Sequence, residues 1–338
     1  MTNEVTIEDI LASLDKDSLA MVKLAKDIEH KVIPTASIGL NKAIGGGLRV
    51  GKQHTFYGGE QSGKSALMLK TIALNQKLGV KCAWIDVEHS FDREWAEKMG
   101  VDVDKLIVSN AANVSGVTDL QIKLINLGIE LLVIDSTSAI KPRSFYDKDG
   151  DLKGFDDTRQ MGQHARDLGG MCSNVQSINF NCAVVHISQV RMDLGAPGMH
   201  APMKPTGGKE TGHTDQLRVR LTSSRSDKRA VMKKIPIGDS LVEMKVGRKV
   251  TWQVEKNKFN GEEAQGDYDL IVKGDEIGPD KASEIVALGI SSGVIRKSGT
   301  WLYFFDEKFQ GDEKAKAYLR ENPEVMDTLE GEILAFSI

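Results

Sequence analysis

The sequence has little cysteine and no long apolar run. Its 338 residues include three cysteines, Cys82, Cys172 and Cys182, an odd number without CxxC spacing. This argues against a disulfide framework and against a zinc site. No apolar run reaches the roughly 18 to 20 residues needed to cross a bilayer. The acidic, polar start MTNEVTIEDILASLDKD is unlike a secretory signal. We therefore expect a cytoplasmic protein that makes no membrane contact.

The chain also lacks an excess of positive charge. Lys and Arg number 44 against 48 Asp and Glu, which gives a net charge of −4. This is not the overall signature of a nucleic-acid-binding protein. Any affinity for DNA must come from local basic patches, from backbone amides or from many subunits acting together.

The order of apolar segments predicts an α/β fold with a mostly parallel, wound sheet. Strand-like and helical segments alternate from Ile38 to Leu221, and Leu131–Ile134 is apolar throughout, as in a strand covered on both faces. Apolar residues before Pro34 recur at helical spacing, which predicts either an arm or a helix packed on its own domain. The predicted domains are an N-terminal helical arm or oligomerisation element, a core and a small C-terminal α/β domain, at residues 1–34, 35–273 and 274–338.

Two long polar segments interrupt the alternation. Residues 141–158 are rich in Gly and Asp, and residues 190–209 are rich in Gly, Pro and Met. Loops of this length inside a compact domain are usually functional or disordered.

The strongest chemical signal is a phosphate-binding loop. Residues 58–65 read GGEQSGKS, which fits GxxxxGK[ST], and they follow a predicted strand and open a predicted helix. Backbone amides and the helix N-terminus face an anion in such a loop. We expect Lys64 to reach the β- and γ-phosphates and the Ser65 hydroxyl to hold Mg²⁺. The predicted nucleotide contacts in this segment are Gly58, Gly59, Glu60, Gln61, Ser62, Gly63, Lys64, Ser65 and Ala66.

Two acids follow predicted buried strands. Asp135 ends the strand LLVID, where it can orient water on Mg²⁺. Glu88, in DVEH, is the candidate that polarises the attacking water. Either acid alone could be a solvated carboxylate at a strand end, and the phosphate-binding loop is what favours the functional interpretation.

Six segments together resemble the bacterial RecA recombinases. YGGEQSGKS, CAWIDVEHSFD, LLVIDSTSAI, HISQVRM, PTGGK and EKNK occur in the order and spacing of that family. The resemblance runs from about Ile38 to about Leu329. It implies a RecA-type P-loop NTPase core that uses ATP and Mg²⁺. The implied activity is that of a DNA-dependent ATPase, which forms helical filaments on single-stranded DNA and exchanges strands with a homologous duplex.

Two other functions on the same core remain open. One is a hexameric DNA motor or helicase, against which the two long loops and EKNK favour a recombinase. The other is a non-hydrolysing recombination mediator, against which the intact Lys64, Glu88 and Gln189 argue.

The resemblance also implies roles for single residues. Glu88 matches the catalytic glutamate of the family, and Asp135 matches the acid that helps Ser65 hold the metal. Asp92 and Trp95 fall where the family has an acid and an aromatic ring against adenine. Gln189 matches a glutamine that links the γ-phosphate to the second DNA-binding loop.

Two lysines match the family's contact between neighbouring subunits. Lys256 and Lys258, in EKNK, correspond to lysines that reach the ATP of the next subunit in the filament. Such cations stabilise charge on the transferred phosphoryl group, as an arginine finger does. Without the resemblance, this segment would be interpreted as a solvated strand edge.

The two long segments match the DNA-binding loops of the family, at residues 141–158 and 190–207. The first is more acidic than expected for a DNA contact, and the second lacks an aromatic residue. The amino-terminal region does not match the family's polymerisation helix and strand. The resemblance implies partners in single-stranded and double-stranded DNA, further copies of the chain, and single-strand-binding and loader proteins. The candidate DNA contacts are Arg143, Arg159, Arg191, Met192, Met199, Met203, Thr206, Gly207 and Gly208.

Overall fold

The computed structural model describes most of the chain. The described residues are 5–16, 18, 22, 24, 26, 30–111, 113–142, 159–192, 203–205, 212–223, 229–237, 240–261, 263–274 and 276–336. Contacts divide the chain into two units, Met1–Lys31 and Val32–Ile338. The division into three domains at residues 34 and 273 stays a prediction.

The first unit contains a short amphipathic helix. Helix α1 spans Ile7–Ala12, and Thr6 and Asp9 form a capping box at its start. Ile7 and Ile10 are more than half exposed. The structure therefore confirms a helix in this region. None of the six residues of α1 is buried.

The second unit alternates strands and helices, as the sequence predicts. Its helices are α2 Ile38–Ala43, α3 Lys64–Lys77, α4 Arg93–Lys98, α5 Val114–Asn126, α6 Arg159–Ile178, α7 Lys281–Ser292, α8 Asp312–Glu321 and α9 Pro323–Ala335. Its strands are β1 Val32–Ile33, β2 Leu48–Arg49, β3 Gln53–Gly58, β4 Cys82–Asp86, β5 Leu106–Ser109, β6 Leu131–Asp135, β7 Ala183–Met192, β8 Met203–Pro205, β9 Leu217–Ser223, β10 Ala230–Ile237, β11 Ser240–Asn257, β12 Ala264–Ile271, β13 Gly278–Pro279, β14 Arg296–Ser298, β15 Trp301–Phe304 and β16 Glu307–Gln310.

A large sheet positions the functional residues. Its strand order is β13-β12-β11-β9-β3-β7-β6-β4-β5, with β10 paired to β11 and β8 paired to β7. Strands β9, β3, β7, β6, β4 and β5 run parallel, whereas β11, β12 and β13 continue the sheet in antiparallel order. The carboxyl ends of the parallel strands therefore lie along one edge, which we call the carboxyl edge.

Helices cover both faces of the sheet. One core cluster joins α2 and α3 to the sheet through residues such as Leu40, Leu67 and Ile72. A second cluster joins α5 and α6 to the opposite face through residues such as Val117 and Leu168. Strands β3, β4 and β6 are buried along their whole length. Burial on both faces accounts for the almost unbroken apolar sequence of β4 and β6, while β3 also buries the polar residues Gln53, His54 and Thr55.

The last sixty residues pack around a separate cluster. Helices α7, α8 and α9 enclose the inner face of the small antiparallel sheet β14–β16, with Leu302 and Phe304 fully buried between them. Glu284 of α7 joins this cluster to the first helix of the core, because its carboxylate accepts hydrogen bonds from the Ser37 hydroxyl at 2.7 Å and from the Gly39 amide at 3.2 Å. A residue almost 250 positions away thus caps α2.

The buried carboxylate of Glu284 makes a prediction about pH. Burial raises its pKa to about 7, against the lowering effect of its hydrogen bonds. The folded state therefore retains a proton that the unfolded state releases between about pH 4.5 and 7, and the free energy of unfolding falls as the pH rises through this window, by up to about 3 kcal/mol. We expect Glu284→Gln to lose less stability between about pH 5 and 7.5 than the unchanged protein, as measured by urea unfolding. An equal loss in both proteins would contradict this, and Glu313→Gln, at an exposed site on α8, is the control.

Within the part of the chain that the structure describes, no helix is both long and apolar enough to cross a membrane.

Candidate active site

The phosphate-binding loop joins the end of β3 to the start of α3 at the carboxyl edge. Gly63 adopts the left-handed region with φ 94°, directly before the helix begins at Lys64. At Gly58, a Cβ would lie 2.1 Å from the carbonyl oxygen of Leu221 on β9. Both positions favour glycine. At Gly63 a side chain would strain the left-handed backbone, and at Gly58 a side chain would clash with the backbone of β9.

The Lys64 side chain is held within the loop. It is 8% exposed, and its ammonium donates to the carbonyl oxygens of Gly58 at 3.0 Å and Gly59 at 2.8 Å. Burial lowers the pKa of Lys64, while the carboxylates of Asp135 and Glu88 act in the opposite direction. The loop thus holds a largely buried cation against its own carbonyl oxygens. A bound phosphate would compete with these oxygens for the hydrogen bonds of the ammonium.

Ser65 and Asp135 provide the oxygen atoms that suit Mg²⁺. The Ser65 hydroxyl donates to Asp135 Oδ2 at 2.6 Å, and Asp135 is 7% exposed at the end of β6. Burial raises the pKa of Asp135 to about 6, and the hydrogen bond from Ser65 opposes the rise. Mg²⁺ binds one or two protein oxygens together with phosphates and water, so these residues fit a magnesium site.

Glu88 lies beside this pair and accepts two hydrogen bonds on one oxygen. Its Oε1 atom accepts from the Ser136 hydroxyl and, at 3.1 Å, from the Gln189 side-chain amide. The backbone amide of Gln189 in turn donates to the Ser138 hydroxyl at 2.8 Å. The carboxylate is therefore fixed by Ser136, which directly follows β6, and by Gln189, which lies three residues before the end of β7. The two long segments follow these strands in the sequence.

The two residues expected near adenine make local contacts. Asp92 caps α4 by accepting from the Trp95 amide at 3.0 Å, and Trp95 packs against the core. The structure links Lys64, Ser65 and Asp135 by direct contacts or charge, and it links Glu88 to Gln189. For Asp92 and Trp95, it shows a helix cap and a packing contact.

Lys256 and Lys258 lie at the other edge of the sheet. Lys256 pairs with Arg218 in the β11–β9 register, and Arg218 pairs with Thr55 of β3. Thr55 is three residues before Gly58, about 10 Å along the strand, and Lys258 lies further in the same direction. The two ammoniums donate to the carbonyl oxygens of Gly212 and His213. Neither lysine is therefore placed to reach the phosphate-binding loop of its own chain.

Most of the candidate DNA contacts lie outside the described residues. This applies to Arg143, Met199, Thr206, Gly207 and Gly208. Four others are described by their backbone alone, and they differ from the expected loops. Arg159 begins α6, while Arg191 and Met192 extend β7 and Met203 lies on β8. The pairing of Met192 with Met203 is the reason, because antiparallel backbone hydrogen bonds continue the sheet into the second segment.

Sequence reasoning missed Ser136 and Ser138. Both belong to the STS that follows Asp135, and the signal available was their position after a buried strand at the carboxyl edge. Serines are common after strands, so nothing in the sequence distinguishes a hydroxyl that contacts Glu88 from one that faces water.

Family comparisons assign the whole architecture. The model of the RecA N-terminal domain matches residues 2–273, and that of the RecA C-terminal domain matches residues 283–336. The chain belongs to the RecA family. Protein RecA of Cereibacter sphaeroides is 32% identical over 346 aligned positions, which cover 99% of this chain and 94% of that protein. Protein RecA of Nitratiruptor sp. is 35% identical over 320 positions, 93% of this chain and 87% of that protein.

Membership in the RecA family confirms the main expectations from the sequence. These are the RecA-type α/β fold, a P-loop ATPase that depends on DNA, and ATP with Mg²⁺. The chain is an ATP-dependent DNA recombinase that binds DNA and forms filaments. The helicase and mediator alternatives are not supported.

Proposed function

We propose that this RecA-family recombinase hydrolyses ATP in a composite site, with Glu88 as general base and the lysines of a neighbouring subunit as the completing cations. The observation that supports this proposal best is the contact of Glu88 with Ser136 and Gln189. The Glu88 carboxylate also lies close enough to Lys64 to affect its pKa. This places a carboxylate beside the phosphate-binding loop and connects it with the roots of both long loops.

The roles follow from chemistry and position. Glu88 orients the attacking water and accepts its proton. Lys64 stabilises charge on the β- and γ-phosphates, while Ser65 and Asp135 hold Mg²⁺, which neutralises charge on the phosphates when it is bound. Asp92 and Trp95 contact adenine in this proposal, on the strength of the family resemblance alone.

Gln189 connects the γ-phosphate to DNA binding. Its side-chain amide contacts Glu88, while its backbone belongs to β7, which leads into the second long segment. An amide can both donate and accept, so Gln189 can exchange Glu88 for a phosphate oxygen. Binding of DNA to the segment and binding of ATP to the loop then act on the same side chain.

Lys256 and Lys258 act on the ATP of the adjacent subunit. Their position at the edge opposite the phosphate-binding loop supports this, because a head-to-tail stack of subunits brings one edge against the other. The pKa of Lys256 is lowered by burial and by Lys258, so the pair is a crowded positive site that an anion would stabilise.

The two long loops contact the phosphates and bases of DNA in this proposal, through the arginines and methionines named above. Basic side chains and loop amides supply such affinity locally, which is compatible with a chain of net charge −4. A cytoplasmic location and contacts with single-strand-binding and loader proteins complete the proposal, and they rest on the family resemblance.

The proposal predicts that Glu88→Gln slows hydrolysis by about 10²-fold or more, the scale of general-base contributions. Binding of ATP and DNA is expected to persist because the amide preserves the size of the side chain. The measurement is steady-state ATPase activity with single-stranded DNA, together with nucleotide affinity. Glu94→Gln, at an exposed position of α4, is the matched control and should hydrolyse normally. Normal hydrolysis by Glu88→Gln would show that another group is the base.

A further inference from the structure

A two-stranded ribbon projects from the carboxyl edge of the large sheet. Strand β11 runs from Ser240 to Asn257, but its pairing with β12 begins at Gly247 and its pairing with β9 begins at Val250. Among the described residues, Ser240 to Lys245 pair with β10 alone. Six residues of extended chain carry the ribbon about 20 Å beyond the sheet.

Both faces of the ribbon expose apolar side chains together with a lysine. Met232 and Leu241 are 45% and 68% exposed, and they share one face with Lys245. Val242 and Met244 are 40% and 36% exposed on the other face, where Met244 pairs with Lys233. An isolated two-stranded ribbon is marginally stable in water, so apolar groups on both faces indicate a surface that a partner covers.

The charge of the ribbon selects an anionic partner. Residues 229–249 contain six basic residues against two acidic ones, a net charge of +4 in a chain of net charge −4. This is the local basic density that a nucleic acid requires of an acidic protein.

The position of the ribbon points to the same partner. Strand β11 is three strands away from β7 in the sheet, about 14 Å, and β7 leads into the second long segment. The ribbon therefore leaves the same edge of the sheet as the strands that precede both proposed DNA loops, three strands from β7 and four from β6.

The composition of the ribbon distinguishes duplex from single-stranded DNA. Residues 229–249 contain no Phe, Tyr or Trp, whereas single-strand sites depend on aromatic rings that stack on bases. A two-stranded β-ribbon fits the major groove of duplex DNA, and exposed Met and Leu side chains serve as apolar contacts in DNA grooves.

We infer that the β10–β11 ribbon is a duplex-DNA-binding arm that enters a groove of the incoming duplex. Lys233 and Lys245 contact phosphates on the two sides of the groove, and the four exposed apolar side chains contact its walls. The inference rests on the proposed function in one respect, namely that the two long loops, which follow β6 and β7, bind DNA at the carboxyl edge. It assigns the duplex to an element outside those loops and outside the ATP site.

The first test compares Lys233→Glu/Lys245→Glu with Lys98→Glu/Lys314→Glu, a control with the same change in charge at exposed lysines of α4 and α8. Fluorescence anisotropy with a labelled duplex should show an affinity about 50-fold weaker for the ribbon variant at about 0.1 M salt, and a log–log salt slope smaller by about two. Affinity for single-stranded DNA and the ATPase rate that it stimulates should remain. Equal losses in both variants, or unchanged duplex affinity, would overturn the inference.

A second variant tests the apolar contacts. Leu241→Ser/Met244→Ser should weaken duplex binding about tenfold without a change in the salt slope, because no cation is removed. Collapse of filament assembly on single-stranded DNA in this variant would assign the ribbon to a second copy of the chain instead. Loss of ATP hydrolysis with duplex binding retained would implicate the proposed active site and overturn the role of the ribbon.

Chemical trapping provides an independent measurement. Cys82, Cys172 and Cys182 are at most 1% exposed, so Ser240→Cys introduces one accessible thiol. A duplex with a disulfide-activated tether in its major groove should cross-link to this variant in preference to a single strand with the same tether. Cross-linking to Lys98→Cys at the same rate would overturn the inference.

Discussion

Lys64→Ala is expected to abolish productive ATP binding and to lower DNA-dependent hydrolysis by about 10³-fold or more, the scale of a cation that stabilises the transferred phosphoryl group. Lys64 is the one cation in residues 58–66. Its ammonium already lies against the carbonyl oxygens of Gly58 and Gly59, in a pocket of low solvent exposure. Because charge–phosphate hydrogen bonds are strongest where water is excluded, the loss has no nearby substitute.

Steady-state ATPase assays with single-stranded DNA, combined with binding of a fluorescent nucleotide, measure both parts of this prediction. Lys77→Ala is the matched control, since Lys77 is exposed at the other end of the same helix. A Lys64→Ala protein with unchanged hydrolysis would remove the phosphate-binding loop from the mechanism, and with it every role assigned around that loop.

The second large effect is expected from Lys256→Ala/Lys258→Ala. Nucleotide binding by the isolated subunit should stay nearly intact, because both lysines lie at the edge opposite its own phosphate-binding loop. Hydrolysis stimulated by DNA should fall about 10³-fold, the lower end of what an arginine finger contributes. The measurements are nucleotide affinity without DNA and ATPase rate with DNA.

A mixture of the Lys64→Ala protein with the Lys256→Ala/Lys258→Ala protein tests whether the lysines act on the ATP of a neighbouring subunit. The Lys64→Ala protein keeps the two lysines, and the double variant keeps the phosphate-binding loop. Mixed filaments contain some interfaces in which both halves are intact, so partial recovery of ATPase activity is expected in proportion to those interfaces. Absence of recovery, with mixed filaments demonstrated by electron microscopy of labelled subunits, would place the lysines outside the neighbour's site. A mixture of Lys64→Ala with Glu88→Gln is the control, because both changes affect the same half.

Local sequence patterns predicted the parallel strands of the large sheet, the strand–loop–helix around Lys64 and the position of Asp135 at the end of a buried strand. The strand–loop–helix around Lys64 and the acid after LLVI are recognisable because the chemistry depends on neighbours in sequence. The contacts of Glu88 with Ser136 and Gln189 join residues from three neighbouring strands of the sheet. The cap that Glu284 provides for α2 joins residues almost 250 positions apart. Side chains of these types occur in many places, so their partners depend on the fold rather than on local spacing.

The antiparallel side of the sheet was the least predictable part. Alternation after residue 220 indicates strands, but it does not fix their direction or their length. The second long segment was expected to be a loop from residue 190, whereas β7 continues to Met192 and pairs with β8. Similarly, the residues of the projecting ribbon are ordinary strand formers. Only the strand register shows that β11 extends beyond β9 and β12 and pairs there with β10.

In the proposed composite site, the placement of the phosphate-binding loop and the two lysines on opposite edges of one sheet would make the two ends of a filament chemically different. At one end, the last subunit carries ATP that no neighbour's lysines complete, so a subunit lost from this end departs with its nucleotide intact and can rejoin at once. At the other end, a subunit departs after the ATP at its interface has been cleaved, and it must exchange ADP before it returns. The proposed site therefore predicts net growth at the first end and net loss at the second.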